Sequence, residues 1–260
     1  MYVDFLTDSI TQLIWATNRY SPGELEHDVA IQLLPHLNEI SQLSIQEVAD
    51  LCFCSVTAIS RFVKKLKFEN FTTFKYRIAS DLTNSPKLNL RIPAEYPTQA
   101  ENLNETYFTL MKSCIDELAA SLSQEAIDRA VSLMLDAKTV LFYSLGDLRF
   151  TEMQVDLALS GRASWHLNGF DELLNIVPTL GEGTLVVATL FPTMRGKTNI
   201  EKLRELGTKT IIVSRGNANT YAKYADAFFT TRSTGTKMDQ HLIQMLFDVL
   251  AMHFRAKSLD

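Results

Sequence analysis

Between Ser44 and Ala79, apolar positions recur at helical spacing in two short runs set back to back. Ile45, Val48, Ala49 and Cys52 fall at i, i+3, i+4 and i+7, which is one face of a helix. Ser44 opens that run and Glu47 follows three residues later, a capping box in which each side chain satisfies a free backbone N–H. After Phe53 and Cys54, Ser55 caps a second helix. Its buried stripe is Ile59, Phe62, Val63 and Leu66, leaving Val56, Thr57, Ser60, Arg61, Lys64 and Lys65 mostly outward. Helices joined by so few residues must cross sharply, and Ala49 is small enough to allow close approach. The pattern predicts a helix-turn-helix whose second helix carries the groove-reading surface. Phe68, Phe71, Phe74 and Ile78 continue at spacings of three and four and read as core.

Upstream, Phe5, Leu6, Ile10, Leu13 and Ile14 mark a helical opening. Ser21, Pro22 and Glu24 then predict a helix start running through Val29, Ala30, Leu33 and Leu34 to Pro35. Downstream the period stops, and the prolines and asparagines of residues 81–100 read as a linker between residues 1–80 and 101–260. A helix is predicted from about Ala100 to Leu122, with Phe108 among its core positions, and another from Ser123. Beyond it, the apolar runs Thr139–Leu145, Thr184–Leu190, Thr210–Ser214 and Ala227–Thr230 alternate with helical stretches, the last covering about Met238 to Ala256. Continuous apolar strands between helices predict a parallel sheet covered on both faces. The fold class is therefore an all-α helix-turn-helix domain followed by an α/β sandwich, in which ligands sit beyond the strands' carboxyl ends.

Charge sharpens the first half. From Arg61 to Arg77 six cations stand against Glu69 alone, a local charge of +5 in a chain of net charge −5. A basic patch on an acidic protein suits phosphate contact, the sequence-independent part of DNA affinity. With 46% hydrophobic and 21% charged residues the chain reads as a globular protein, and it has no apolar run long enough for a membrane span. The start MYVDFLTDSITQ lacks the basic and apolar pattern of a signal peptide, and Cys52, Cys54 and Cys114 form no disulfide framework, so a cytoplasmic location is expected. His27, His36, His166, His241 and His253 are scattered, and no metal cluster, phosphate loop or dinucleotide fingerprint is visible, so no cofactor or metal is expected. Glu152, Asp171, Glu172 and His241 are conceivable bases, with nothing to single one out.

The run SIQEVADLCFCSVTAISRFVKKLKFENFTTFK resembles the N-terminal domain of the RpiR/MurR family of bacterial transcriptional regulators. Ser60-Arg61-Phe62, Lys65-Leu66, Phe68, Phe71 and Phe74-Lys75 fit that pattern in register. Phe53 and Lys67 stand where the family usually has glycine, so the turns either shift or hold a non-glycine residue in a left-handed conformation at about 1 kcal/mol each. The C-terminal half is similar, over about residues 105–255, to the sugar-isomerase (SIS) domain of the same family, through residues 141–146, 203–214 and 221–229. In that resemblance, hydroxyls and helix N-termini after the first two strands hold a sugar phosphate. Here Leu148 and Leu190 fall where hydroxyls are expected, and Asp147 puts a negative charge where a phosphate would sit.

The expected DNA-contacting residues are Ser55, Val56, Thr57, Ser60 and Arg61 with Lys64, Lys65, Lys67 and Lys75, the lysines on phosphates. The expected ligand residues are Ser144, Gly146, Asp147, Arg149, Thr189, Thr193, Arg195 and Ser214. In one reading these hold an anion; in the other the pocket has decayed and the domain only dimerises. The function expected is a DNA-binding regulator of carbohydrate metabolism genes, not an enzyme. Its partners would be double-stranded operator DNA, a sugar-phosphate effector and further copies of itself in a homodimer or tetramer, with no membrane. The alternative is a sugar-phosphate isomerase of the SIS class.

Overall fold

The computed structural model describes residues 9–88, 91–93, 96, 102–144, 150–167, 170–190, 194–216 and 219–258. The chain divides into two compact units, Met1–Asn89 and Leu90–Asp260.

The first unit is helical. Its elements are α1 (Ser9–Arg19), α2 (Leu25–Leu33), a 3-10 turn over Leu34–His36, α3 (Leu37–Ile40), α4 (Ile45–Leu51), α5 (Val56–Lys65) and α6 (Phe71–Leu88). They enclose one core in which Leu13, Leu33, Ile40, Phe62, Phe74 and Ile78 are fully buried. Cys52 belongs to it, and burial pushes its thiol up to about 12, as befits a small apolar core residue. Phe5 and Leu6 lie outside the described residues.

On α1 the buried face is made by Leu13 and Ala16, while Ile14 is 43% exposed. Two expectations for this unit are corrected. The second helix begins at Leu25, not Pro22, because Gly23 takes a left-handed conformation (φ 93) and Ser21–Glu24 closes as a turn. The helix of Phe71 does not stop at the predicted linker but runs to Leu88. A tertiary contact accounts for its extension past Ser80. The buried Asp81 carboxylate accepts the N–H of Ser9 at 2.6 Å and its hydroxyl at 2.5 Å, so α6 caps the start of α1.

The second unit contains α7 (Leu103–Ser121), α8 (Gln124–Asp136), β1 (Thr139–Ser144), α9 (Thr151–Leu159), β2 (Ala163–Leu167), α10 (Phe170–Leu180), β3 (Thr184–Leu190), α11 (Met194–Glu205), β4 (Lys209–Arg215), β5 (Ala227–Thr231) and α12 (Met238–Ser258). The five strands form one parallel sheet in the order β2-β1-β3-β4-β5. One face packs against α8, α9 and α12 around Phe142, Val187, Val213 and Phe247. The other packs around Leu141, Val186 and Ile212 against Leu173 and Val177 of α10 and Leu203 of α11. Such burial on both faces explains the uninterrupted apolar runs of the three central strands. Phe108 is a further correction: it is 61% exposed, while Leu110, Met111, Cys114 and Leu118 make the buried face of α7.

In an open sheet of this order the direction of winding reverses between β1 and β3, so the carboxyl ends of those two strands flank the crevice where ligands bind.

Candidate functional site

Local rules build the helix-turn-helix. The Ser44 hydroxyl accepts the Glu47 N–H at 3.2 Å, and the Glu47 carboxylate accepts the Ser44 N–H at 2.7 Å. That backbone hydrogen bond holds the Glu47 carboxyl below the usual carboxylate range. Helix α4 ends in a paired reverse hydrogen-bond motif: Phe53 N–H donates to Asp50 O at 3.1 Å and Cys54 N–H to Ala49 O at 2.9 Å. Helix α5 ends the same way, with Lys67 N–H on Lys64 O at 3.0 Å and Phe68 N–H on Val63 O at 3.1 Å. Neither turn has shifted: Phe53 (φ 51) and Lys67 (φ 67) hold the left-handed conformation that glycine adopts freely. Lys67→Gly should therefore stabilise the unit by up to about 0.5 kcal/mol, the strain relief less glycine's entropy, read as a small rise in its unfolding midpoint in urea.

The Ser55 hydroxyl accepts the Ala58 N–H at 3.1 Å and starts α5. Ile59, Phe62 and Val63 seat that helix in the core, which leaves Thr57, Arg61, Lys64 and Lys67 exposed and Ser60 half-buried. Val56 is half-buried and packs on the core. Besides Ser55 and Val56, two of the nine expected DNA residues, both lysines, have work inside the domain. Lys65 pairs with Glu26 at 2.6 Å and lies 4.7 Å from the centre of the Tyr20 ring, and its hydrogen bond holds the Glu26 carboxyl below its usual range. Lys75 donates to Leu43 O at 2.6 Å from a half-buried position. Arg61, Lys64 and Lys67 form no ion pair among the described residues, so their charge is available to a phosphate or base edge.

At the sheet's carboxyl edge the structure brings together part of the expected ligand set. Ser144 and Thr189 are register partners at the ends of β1 and β3, both buried and both on the face toward α9 and α12. The Thr189 hydroxyl donates to Tyr143 O at 3.4 Å. Ser214, paired with Leu190, faces the opposite helix layer and does not join them. Gly146, Asp147, Arg149 and Thr193 lie outside the described residues, as does the side chain of Arg195.

Other residues of this edge escape sequence reading. The Ser144 Oγ lies 2.8 Å from His166 Nε2, and burial holds that imidazole below its ordinary value of 6.5. Arg215 ends β4 beside Thr231 of β5, buried, on the same face as Ser144 and Thr189. Desolvation lowers its guanidinium, opposed by the charge of Asp239 at the start of α12. Asp239 in turn accepts Thr234 N–H at 2.7 Å, Thr234 Oγ at 2.6 Å and Ser233 Oγ at 3.2 Å. The signal for Arg215 was present: a cation directly after the run TIIVS, where a parallel strand delivers its last residue to the ligand edge. Hydroxyls, an imidazole and a guanidinium on one face of the sheet edge suit a polar anionic ligand. Among the described residues no group of three or more metal-ligating side chains occurs, and no helix is long and apolar enough to cross a membrane.

The imidazole gives a pH test. Because folding lowers the His166 pKa, the unfolded chain takes up the proton first as pH falls below 6.5. Stability of the C-terminal unit should decline from pH 7 towards pH 5, and His166→Gln should flatten that part of the denaturation profile.

Residues 22–85 match the helix-turn-helix domain model of the rpiR family. An uncharacterised HTH-type transcriptional regulator of Clostridium perfringens is 24% identical over 217 residues, 77% of this chain and 74% of the relative. The HTH-type transcriptional regulator HexR of Escherichia coli is 28% identical over 122 residues, 46% of this chain and 42% of HexR. Among solved structures, the Vibrio vulnificus NanR protein complexed with ManNAc-6P shares the fold, with a TM-score of 0.51 at 12% identity over 96% of this chain and 92% of that one.

Proposed function

We propose that this DNA-binding transcriptional regulator, whose N-terminal unit is a helix-turn-helix domain of the rpiR family, controls carbohydrate metabolism genes under a sugar phosphate bound at the edge of its C-terminal sheet. The observation that carries the effector half is the buried Arg215 standing with Ser144 and Thr189 on one face of that edge. A guanidinium and hydroxyls recognise a phosphate and a sugar's polar rim. The fold shared with NanR, a protein solved with ManNAc-6P, directs the choice of ligand to the sugar-phosphate class. The unit acts by binding rather than by turnover. Isomerisation needs a base held beside a substrate carbonyl, and the conceivable bases Glu152, Asp171, Glu172 and His241 are all solvent-exposed. A homodimer reads a twofold operator, since twofold proteins read twofold sites.

Calorimetry of the purified chain against a panel of hexose and amino-sugar phosphates tests this. Saturable heat with at least one of them, lost in Arg215→Leu, is the expected result. No heat with any sugar phosphate, or turnover of one, would refute the effector reading.

A further inference from the structure

We propose that Phe53, in the turn ahead of the recognition helix, makes an apolar contact with a thymine methyl at the edge of the operator half-site. The inference rests on the DNA-binding reading and adds a specificity residue to it.

Phe53 is 88% exposed, more than any other exposed large hydrophobic side chain among the described residues. Its backbone is locked rather than loose, because its own N–H and that of Cys54 are both spent on closing α4. The residue is held in the left-handed conformation at φ 51, so a side chain stays at a position where glycine would be unstrained. Among the described residues no apolar packing of the ring adds to those hydrogen bonds, since Phe53 lies outside the buried cluster that seats α4 and α5.

Position says what the ring meets. Phe53 stands two residues before Ser55, the cap of α5, and beside the first exposed residues of the helix that enters the major groove. That same helix carries the exposed cations Arg61 and Lys64, with Lys67 just beyond its end, so the helix that the ring precedes is matched in charge to a phosphate backbone. In the major groove the apolar feature of a base pair is the thymine C5-methyl, and an aromatic side chain at the rim of a recognition helix suits it. A second copy of the chain as occupant would have to seat its own basic surface against this one.

The test uses the full-length chain, the duplex operator found by footprinting its own upstream DNA, and duplexes in which each thymine in turn is replaced by deoxyuridine. Wild type should lose about fourfold in affinity at one replaced thymine, the worth of one buried methyl. Phe53→Gly and Phe53→Asn should bind the unmodified operator about fourfold or more weakly and be indifferent to that replacement. Phe53→Gly should also unfold at no lower denaturant than wild type, so weaker binding cannot be ascribed to a damaged fold. Binding by both variants equal to wild type, or a loss equal for every duplex and for unrelated DNA, overturns the inference. If Arg61→Ala weakens binding while both Phe53 variants do not, the inference fails and the DNA reading stands. If wild type binds no DNA, both fail.

Discussion

Phe62→Ala is expected to destabilise the N-terminal unit by about 3–5 kcal/mol and to abolish operator binding with it. Phe62 is fully buried, one of the largest side chains in the molecule with no exposure. Helix α5 is only ten residues long and is held in the core through Ile59, Phe62 and Val63. Removing the ring takes away the central member of that group and leaves a cavity that Phe74 and Leu33 can fill only partly. Domains of this size are stable by about 5–15 kcal/mol in total, so the loss consumes much of the margin. Chemical denaturation followed through the first unit's transition would show it. Phe62→Leu, which keeps most of the volume, should cost about a third as much and leave binding measurable.

Arg61→Ala is expected to act in the opposite way, leaving the fold intact and removing sequence discrimination. Arg61 is exposed on α5, and no carboxylate pairs with it among the described residues. A guanidinium can bond a guanine edge with two donors at once, and such a contact is worth about 1–3 kcal/mol of discrimination. The variant should bind operator and unrelated DNA with similar affinity while melting as wild type does. Lys64→Ala is the contrast: it should weaken binding to all sequences alike and flatten the salt dependence by about one ion. Competition titrations with specific and unrelated duplexes separate the two outcomes. If both variants bind as wild type does, the recognition helix has been assigned to the wrong element.

The helix-turn-helix was legible because every cue in it is local. The capping box of Ser44 and Glu47, the cap at Ser55 and the stripe of Ile59, Phe62 and Val63 all stand where sequence spacing puts them. The central strands were legible because burial on both faces writes itself as unbroken apolar runs. What was missed depends on distant partners. Strand β2 is an edge strand whose Ser164, Trp165 and His166 are half-buried, so it shows no apolar run, and Pro178 inside α10 reads as a breaker. The extension of α6 past Ser80 rests on Asp81 meeting α1, a contact seventy-two positions away in the chain. The roles of Lys65 and Lys75 were hidden likewise: a lysine on a basic helix looks the same whether it meets phosphate, Glu26 or the Leu43 carbonyl. At the ligand edge, Arg215 and His166 gain their meaning only when β4 and β2 are laid beside Thr231 and Ser144.

The most direct test of the central claim is a titration of the full-length chain onto its own upstream promoter DNA at two salt concentrations, with unrelated duplex as competitor. Tight binding that prefers the promoter and weakens steeply with salt is the expected result, since exposed Arg61, Lys64 and Lys67 would release counterions from the phosphates they neutralise. Binding that is absent at both salt concentrations, or the same for any duplex, would contradict it and move the weight to the C-terminal unit acting alone.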